Sequence, residues 1–313
     1  MSLRLSTAPH IRSPRSTRRL MFNVVIALLP CAACGAYFFG LPAVITMLVS
    51  MATAVACEAL WQLIARVPVR VSDGSALLTG LILALIISPS APWWMTMIGS
   101  AFAIIIVKQL FGGIGDNFLN PAMAARAVLL ASWPAHMTTH LVPTLWGGET
   151  VVSGATPLVS GITDAVGYID LLLGRNVAGA IGETCKLAIL AGFAFLVLTK
   201  TISWRIPAVT VLTTFVFSWI LGFDPLHAVL SGGILFAAVF MATDYTTTPM
   251  SSRAQIVYAV GIGVITVVIR NYGNYPEGVT YAVLFMNILT PLLDRFMPHK
   301  IYGYRKTKEA KKA

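Results

Sequence analysis

Charged side chains are scarce in this chain. They make up 11% of its 313 residues, with 12 acidic against 22 basic, whereas a soluble domain has about 25%. Because 57% of the residues are hydrophobic, a soluble core could not bury them all, and a bilayer must serve as solvent for most of the chain. The net charge of +10 does not indicate nucleic-acid binding, since the basic residues lie at the termini and in short loops. We expect contact with membrane lipid and none with nucleic acid.

Cysteine is also rare. Cys31, Cys34 and Cys57 lie in apolar stretches, and Cys185 opens another. The spacing of Cys31 and Cys34 matches a redox pair, but no strand pattern accompanies it. Small buried thiols are the simpler interpretation, and a metal or iron–sulfur ligand pair is the alternative.

The N-terminus lacks the pattern of a cleaved signal peptide. Residues 1–19 contain five arginines, and the apolar run that begins at Leu20 leads straight into a second one. No short apolar core with a small-residue cleavage site separates them. We therefore expect the first run to remain in the protein as a signal anchor.

Ten apolar runs are long enough, or nearly so, to cross a bilayer. Within lipid, helices satisfy all their backbone groups internally. The sequence therefore predicts an all-α polytopic membrane protein. The predicted spans are 20–39, 41–64, 72–88, 91–107, 119–134, 184–199, 206–222, 226–243, 254–271 and 277–293.

The positions of lysine and arginine predict the orientation of these spans. With the N-terminus inside, eighteen basic residues fall in cytoplasmic segments and three in or beside outward ones. This asymmetry is a positive-inside signal, and it predicts a membrane protein with both termini in the cytoplasm. The predicted divisions are a basic N-terminus (1–19), a first five-helix half (20–134), a periplasmic loop (135–183), a second five-helix half (184–297) and a basic tail (298–313).

A weak internal repeat relates the two halves. Thr79–Leu83 resembles Ser231–Leu235, and an aspartate precedes each copy. The copies lie five spans apart, so they would cross the membrane in opposite directions. Inverted repeats place functional sites at the midplane, often at broken helices. Packing of small residues explains the match equally well.

Three segments carry patterns beyond hydrophobicity. The outward loop contains Ser153-Gly154-Ala155-Thr156, which at face value is a small-residue turn. The fourth span is followed by F-G-G-I-G-D-N-F-L-N-P-A, from Phe111 to Ala122, and the pattern extends to Arg126 in the fifth span. The eighth span ends in M-A-T-D, from Met241 to Asp244.

The glycine-rich segment is not a dinucleotide fingerprint. Its Gly113-x-Gly115 spacing is followed by Phe118 instead of a third glycine, and no soluble strand precedes it. Glycines and Asn-Pro at the end of a span instead indicate a non-helical entry that lines a cavity.

Together the three segments resemble a family of membrane proteins. It comprises the D subunits of Rnf electron-transport complexes and the B subunits of Na⁺-translocating NADH:quinone reductases. The resemblance covers essentially the whole chain, and its length fits the D branch better. It implies two inverted five-helix repeats, as in urea transporters, and a role within a redox-driven translocase. Electrons would pass between ferredoxin and NAD⁺, coupled to movement of H⁺ or Na⁺.

The resemblance also implies a covalent flavin in the outward loop. FMN would be joined through its phosphate to Thr156. Gly154 and Ala155 would leave room for the nucleotide and an external flavin transferase, and Ser153 could hydrogen-bond the phosphate. A non-covalent riboflavin is a further expected cofactor.

For the other motif residues a flavin role competes with a structural one. The amides of Asn117 and Asn120 could bind flavin edges or quinone carbonyls, or they could break and cap the helix. Arg126 is a further candidate at the cofactor. Asp244 either contributes to an ion path or flavin contact, or caps the Thr-rich turn that follows it.

Glu58 is a carboxylate well inside a predicted span, where an ionisable group indicates function or a partner. We expect it either to carry the translocated ion or to pair with Arg126. His136 and His140 lie four residues apart in the outward loop, but no third ligand is near. We predict no metal site and no catalytic residue in the narrow sense.

The remaining expectations concern partners and rival functions. The resemblance implies Rnf proteins of the A, B, C, E and G type as partners. A secondary transporter with an inverted repeat would have similar composition and span number. The B subunit of a Na⁺-translocating NADH:quinone reductase is the other alternative, with the same chemistry and different partners.

Overall fold

Thirteen helices make up most of the part of the chain that the computed structural model describes, which is residues 16–142, 153–154, 167–174, 177–273 and 278–298. In chain order they are α1 (Thr17–Phe39), α2 (Leu41–Ile64), α3 (Ser75–Ile86), α4 (Trp93–Phe102), α5 (Pro121–Ser132), α6 (Pro134–Thr138), α7 (Tyr168–Leu173), α8 (Lys186–Leu198), α9 (Arg205–Ile220), α10 (Pro225–Leu230), α11 (Ile234–Phe236), α12 (Ser252–Tyr272) and α13 (Val279–Phe296).

Short irregular elements connect or extend these helices. A 3₁₀ turn (Val71–Asp73) precedes α3. Wide π-helical turns extend α4 (Ala103–Gln109) and α11 (Ala237–Met241). Two-residue strands β1 (His140–Leu141) and β2 (Ser153–Gly154) pair antiparallel.

Local sequence explains several helix ends. The Asn120 side chain accepts hydrogen bonds from the Ala122 and Met123 amides, and Pro121 occupies the first position of α5. Asp224 and Pro225 begin α10 in the same way. A polar acceptor before an N-terminal proline is a strong helix-start signal, because it satisfies amides that lack intrahelical partners.

One end of the bundle, here called the basic face, contains the beginning of α1. Its connections are cross-linked: the Asn23 amide donates to the Thr201 hydroxyl at 3.1 Å, and the Tyr245 hydroxyl donates to the Thr201 carbonyl at 2.8 Å. Arg205 donates to Ser252 at 2.8 Å. Basic residues at the helix ends and connections of this face include Arg18, Arg19, Arg66, Arg70, Lys200, Arg205, Arg253 and Arg295.

The opposite end is here called the loop face. There the Ser88 hydroxyl donates to the Thr139 carbonyl at 2.6 Å, and the Tyr168 hydroxyl donates to Asp224 Oδ2 at 2.6 Å. Its described connections are poor in basic residues. The outward loop of the sequence therefore begins and ends on the face opposite the basic one.

The helices confirm an all-α membrane protein, and their lengths are uneven. In the described residues, α1, α2, α12 and α13 are each long and apolar enough to cross a membrane. The other apolar helices of ten or more residues are α3, α4 with its π turn, α5, α8 and α9. The predicted span 226–243 is two pieces, α10 and α11, separated at Ser231–Gly233.

The α2 helix has its polar side inward. Thr46, Ser50, Glu58 and Gln62 are buried, at spacings that place them on one face. Its exposed positions are large and apolar, among them Leu41, Leu48, Leu60, Leu63 and Ile64. This is the reverse of a soluble amphipathic helix, and it suits a helix that faces lipid outside and polar partners inside.

Small residues allow close helix contacts. Helix α2 packs against α3 and α4, α9 against α12, α1 against α8, and α5 against α13. At Gly80 of α3, a Cβ atom would lie 2.8 Å from the Ser50 carbonyl oxygen and 2.9 Å from Met51 Cα. The α2–α3 contact is therefore a backbone-to-backbone approach that a side chain would push apart.

We expect Gly80→Ala to destabilise the folded chain by about 1–3 kcal/mol, because the added methyl group meets backbone that cannot turn aside. The measurement is the thermal midpoint of the detergent-solubilised protein. Gly179→Ala is the matched control, since no heavy atom lies within 4 Å of a Cβ there. Equal midpoints for the two variants would contradict the close contact.

Candidate functional site

A cleft at the basic face brings two of the sequence motifs together. It has about 710 Å³ of empty space and lies between α1, α3, the start of α5 and the π turn after α11. Polar groups on its wall include Lys108, Asn117, Asn120, Asp244 and Thr246. Apolar side chains such as Ile82 and Phe240 form other parts of the wall. We call this space the inner cleft.

The glycine-rich segment is a non-helical entry, as its pattern predicts. Gly112, Gly113 and Gly115 have φ angles of 116°, 98° and 104°, a region that side chains with a Cβ rarely adopt. The Asn117 amide then donates to the Leu119 carbonyl at 3.1 Å and to the Thr246 hydroxyl at 3.0 Å. The last contact joins this segment to the turn that follows M-A-T-D.

Asn120 joins the same two motifs and also begins α5. Its Oδ1 caps the helix at 3.1 and 3.2 Å, and its Nδ2 donates to the Met241 carbonyl at 3.3 Å. The structure thus shows the capping role for Asn120, and the same side chain also lines the inner cleft. Contact with a flavin stays a prediction.

Asp244 organises the Thr-rich turn. The hydroxyls of Thr246 and Thr247 donate to its Oδ2 at 3.1 and 3.4 Å. This is the structural role that the sequence offers for Asp244. The residue also lines the inner cleft, so its part in an ion path or flavin contact remains a prediction.

The predicted pairing of Glu58 with Arg126 is wrong. Glu58 Oε1 lies 2.7 Å from Lys108 Nζ, and the Gln109 amide donates to the same oxygen at 2.6 Å. Lys108 directly follows the predicted span 91–107 and is one of the eighteen basic residues assigned to cytoplasmic segments. In the structure it is only 3% exposed. Its ammonium is brought inward because it lies at the end of the π turn that follows α4.

Arg126 pairs instead with Glu183, which the sequence patterns do not single out. Arg126 Nη1 lies 3.1 Å from Glu183 Oε1, and both residues are buried. Lys186 Nζ donates to the Glu183 carbonyl and, at 2.7 Å, to that of Gly232. A Cβ at Gly233 would lie 2.1 Å from Glu183 Oε1. The break between α10 and α11 is therefore shaped around this ion pair.

The segment that carries Glu183 returns from the outward loop without regular secondary structure and turns at residues 181–184. Residues 177–185 are nearly all buried. The Gly182 amide donates to the Leu85 carbonyl at 2.7 Å, and the Ile181 amide donates to the Ile87 carbonyl at 3.3 Å. The carbonyls at the end of α3 thus find partners in this segment. The sequence contains a signal for this buried segment, since Glu183 and Lys186 are charged residues at the edge of an apolar run.

The predicted flavin-attachment motif lies partly within the described residues. Ser153 and Gly154 form β2, in register with Leu141 and His140 respectively. Thr139, next to β1, is held at the loop face by Ser88 and Ser90, whose hydroxyls donate to its carbonyl at 2.6 and 2.8 Å. Ala155 and Thr156 lie outside the described residues.

A second cavity, here called the basic-face cavity, lies beside the inner cleft. It has about 1550 Å³ of empty space, and its wall includes Glu58, Asp73 and Gln109. Ile114 belongs to the walls of both cavities. Within the described part of the chain, Glu58 Oε2 is buried and accepts no hydrogen bond.

We expect a double-mutant cycle to separate the two ion pairs. Arg126→Gln or Glu183→Gln alone should cost about 3–5 kcal/mol, because each strands a buried charge, and together they should cost much less than the sum. Glu58→Gln with Arg126→Gln should be additive within about 0.5 kcal/mol, since the two side chains belong to different ion pairs. The thermal midpoint of the solubilised protein is the measurement. Strong coupling between Glu58 and Arg126 would contradict the pairing seen here.

Comparison with known proteins places the whole chain in one group. A model of the NQR2, RnfD, RnfE family matches residues 4–303. The D subunit of the Na⁺-translocating ferredoxin:NAD⁺ oxidoreductase complex of Acetobacterium woodii is 46% identical, over 100% of this chain and 99% of that protein. The D subunit of the proton-translocating ferredoxin:NAD⁺ oxidoreductase complex of Clostridium ljungdahlii is 38% identical over 96% of each chain. Its counterpart in an ion-translocating oxidoreductase complex of Stutzerimonas stutzeri is 40% identical over 92% of each.

Proposed function

Because this chain belongs to the NQR2, RnfD, RnfE family, we propose that it is the D subunit of an ion-translocating ferredoxin:NAD⁺ oxidoreductase complex. The observation that carries this is full-length similarity to D subunits, at 46% identity for one of them. A secondary transporter would have no reason to resemble redox subunits along its whole length. The protein acts as part of a redox-driven translocase, and its partners are the other members of that complex, of the A, B, C, E and G type.

The arrangement that we propose is ten membrane crossings in two inverted halves. Support comes from matching helix contacts in the two halves. Within the first half α2 packs on α4, and within the second α9 packs on α12 in the same way. Between the halves, α1 packs on its counterpart α8, and α5 on its counterpart α13. The α10 and α11 pieces together make one crossing. The second half would then contain a crossing interrupted near the midplane, as transporter-like folds use for their sites.

We place the basic face in the cytoplasm and the loop face in the periplasm of a bacterial inner membrane. The support is the accumulation of arginine and lysine at the ends of α1, α2, α8, α9, α12 and α13 on one face. Both termini would be cytoplasmic.

The carrier that we propose for the periplasmic side is FMN esterified through its phosphate to Thr156. Its support is the Ser153-Gly154-Ala155-Thr156 sequence and the position of Ser153 and Gly154 beside β1 at the loop face. A flavin supplies one- and two-electron chemistry. The protein would hold the motif at the membrane surface, accessible to the flavin transferase during maturation.

A second, non-covalent flavin such as riboflavin would suit the inner cleft. Apolar side chains of its wall could pack on a planar ring, and the polar groups near Asn117, Asn120 and Thr246 could meet the ring edge. Both asparagine side chains already donate within the protein, so they would present a rigid polar edge. Arg126 bonds to Glu183 within the bundle, which favours a structural role over flavin contact.

The ion that this chain helps to move is H⁺ or Na⁺, since the named relatives include one of each kind. The carboxylates that we propose for its path are Glu58 and Asp244. Glu58 is buried and Asp244 is half-buried, and each lines a cavity at the basic face. Coupling requires that the redox state shift the balance between two conformations with different ion access.

We expect the denatured wild-type polypeptide to fluoresce under ultraviolet light on a gel, because the flavin bond survives unfolding. Thr156→Ala should abolish the fluorescence by removing the hydroxyl acceptor. Ser153→Ala, which keeps the acceptor, should only reduce it. Comparable protein bands on a stained gel are the control, and undiminished fluorescence of Thr156→Ala would exclude this attachment site.

Accessibility of introduced cysteines should reveal the orientation. In a background without the four native cysteines, Ile169→Cys at the loop face should react with a membrane-impermeant thiol reagent added to intact cells. Pro68→Cys at the basic face should react only after the cells are opened. Both positions are exposed, so burial does not explain a difference. The reverse pattern would overturn the proposed orientation.

A further inference from the structure

Lys108 lies where the two cavities of the basic face approach each other. The residue belongs to the wall of the inner cleft, and its partner Glu58 belongs to the wall of the basic-face cavity. The ammonium and the carboxylate meet at 2.7 Å. A path from one cavity to the other at this point would therefore have to pass the ion pair.

The surroundings of the ammonium are those of a cation site built from oxygen atoms. Lys108 Nζ contacts Glu58 Oε1 at 2.7 Å and Ser75 Oγ at 2.5 Å. The Ser75 hydroxyl in turn donates to Asp73 Oδ1 at 2.8 Å, so its lone pairs remain available to the ammonium. Carboxylate and hydroxyl oxygens also suit a hard monovalent cation such as Na⁺.

The Glu58 carboxylate can accept more contacts than the one it makes with Lys108. Glu58 Oε1 already accepts from Lys108 and Gln109. Its Oε2 accepts no hydrogen bond from the described residues, although the atom is buried. An unmatched carboxylate oxygen is costly away from bulk water, and a cation bound to this atom would offset that cost.

The backbone around Lys108 suits a movable side chain. The residue lies in the π turn Ala103–Gln109, where each backbone hydrogen bond spans five residues instead of the four of an α-helix. The glycine segment follows directly, and the Gly113 amide donates to the Lys108 carbonyl at 3.0 Å. A second carboxylate, Asp244, lines the same cleft as Lys108. A displaced ammonium would thus remain in a cavity that contains another negative group.

We propose that Lys108 is a tethered cation that plugs a cation site at Glu58, and that the translocated cation enters its path by taking the place of Lys108 there. This deepens the ion path of the proposed function and rests on it. A cation bound to Glu58 cancels the attraction that holds the ammonium, because two positive charges then share one carboxylate. Lys108 turns into the inner cleft and the cation moves on. Its return closes the path and prevents a leak.

The test is passive cation leak through the assembled complex in lipid vesicles, without electron donor or acceptor. Uptake of radioactive Na⁺ and the signal of an internal pH dye are recorded in parallel. Lys108→Met removes the ammonium and keeps a long side chain, so we expect the leak of one cation to rise roughly tenfold, as for a barrier lowered by about 1.4 kcal/mol. Lys108→Arg keeps the positive charge and should stay as tight as wild type.

A raised leak in Lys108→Met could come from the open Glu58 site or from looser packing of the bundle. The double variant Glu58→Gln with Lys108→Met distinguishes these two causes. It lacks the carboxylate that attracts the cation, so its leak should return to the wild-type level. A Lys108→Met complex as tight as wild type would overturn the proposal, and so would a double variant as leaky as the single one.

Assembly is checked by size-exclusion chromatography and covalent flavin content. Lys108→Met could fail to assemble because it leaves the Glu58 charge unpaired. The double variant leaves no charge unpaired, so in that case it must assemble and show no more cation leak than wild type. Failure of both variants to assemble would make Lys108 a structural anchor and overturn the proposal. Ferredoxin:NAD⁺ electron transfer and driven ion uptake by the wild-type complex test the proposed function separately. If the wild-type complex transfers electrons and takes up ions but Lys108→Met does not leak, the role of Lys108 is refuted and the proposed function stands.

Discussion

In the hydrocarbon region, only the protein itself can hydrogen-bond a backbone group or neutralise a charge. This constraint shapes every irregular feature of the bundle. The break between α10 and α11 exposes carbonyls, and Arg270 donates to those of Ala228 and Ser231 while Lys186 donates to that of Gly232. The chain can be non-helical at this depth because cations from other segments replace water.

The same constraint explains why the polar residues are gathered into a few connected groups. Glu58, Lys108, Gln109 and Ser75 form one group near the basic face, and Arg126, Glu183 and Lys186 form another beside the helix break. Each group combines segments distant in sequence, so it fixes how helices pack. Apolar contact alone would do this poorly, since lipid tails are as apolar as the helix surfaces.

Features of the fold that depend on neighbouring residues could be predicted from the sequence. The long apolar helices, the capping by Asn120 and the turn organised by Asp244 follow from local patterns. The partners of buried charges could not be predicted in this way. Glu58 and Arg126 look like a pair because both are isolated in apolar runs, yet tertiary packing gives each a different partner. The break in the span 226–243 was missed for the same reason, because the groups that stabilise it belong to α8 and α12.

The sequence separation of the two ion pairs has a consequence for biosynthesis. Glu58 precedes Lys108 by 50 residues, and Arg126 precedes Glu183 by 57. During translation, the first member of each pair therefore reaches the membrane before its partner does. An unpaired ionised group at that depth is unfavourable, so α2 and α5 gain full stability only when later segments arrive. The insertion machinery would have to retain these early helices, or keep them near the membrane surface, until the chain has grown past the second charge.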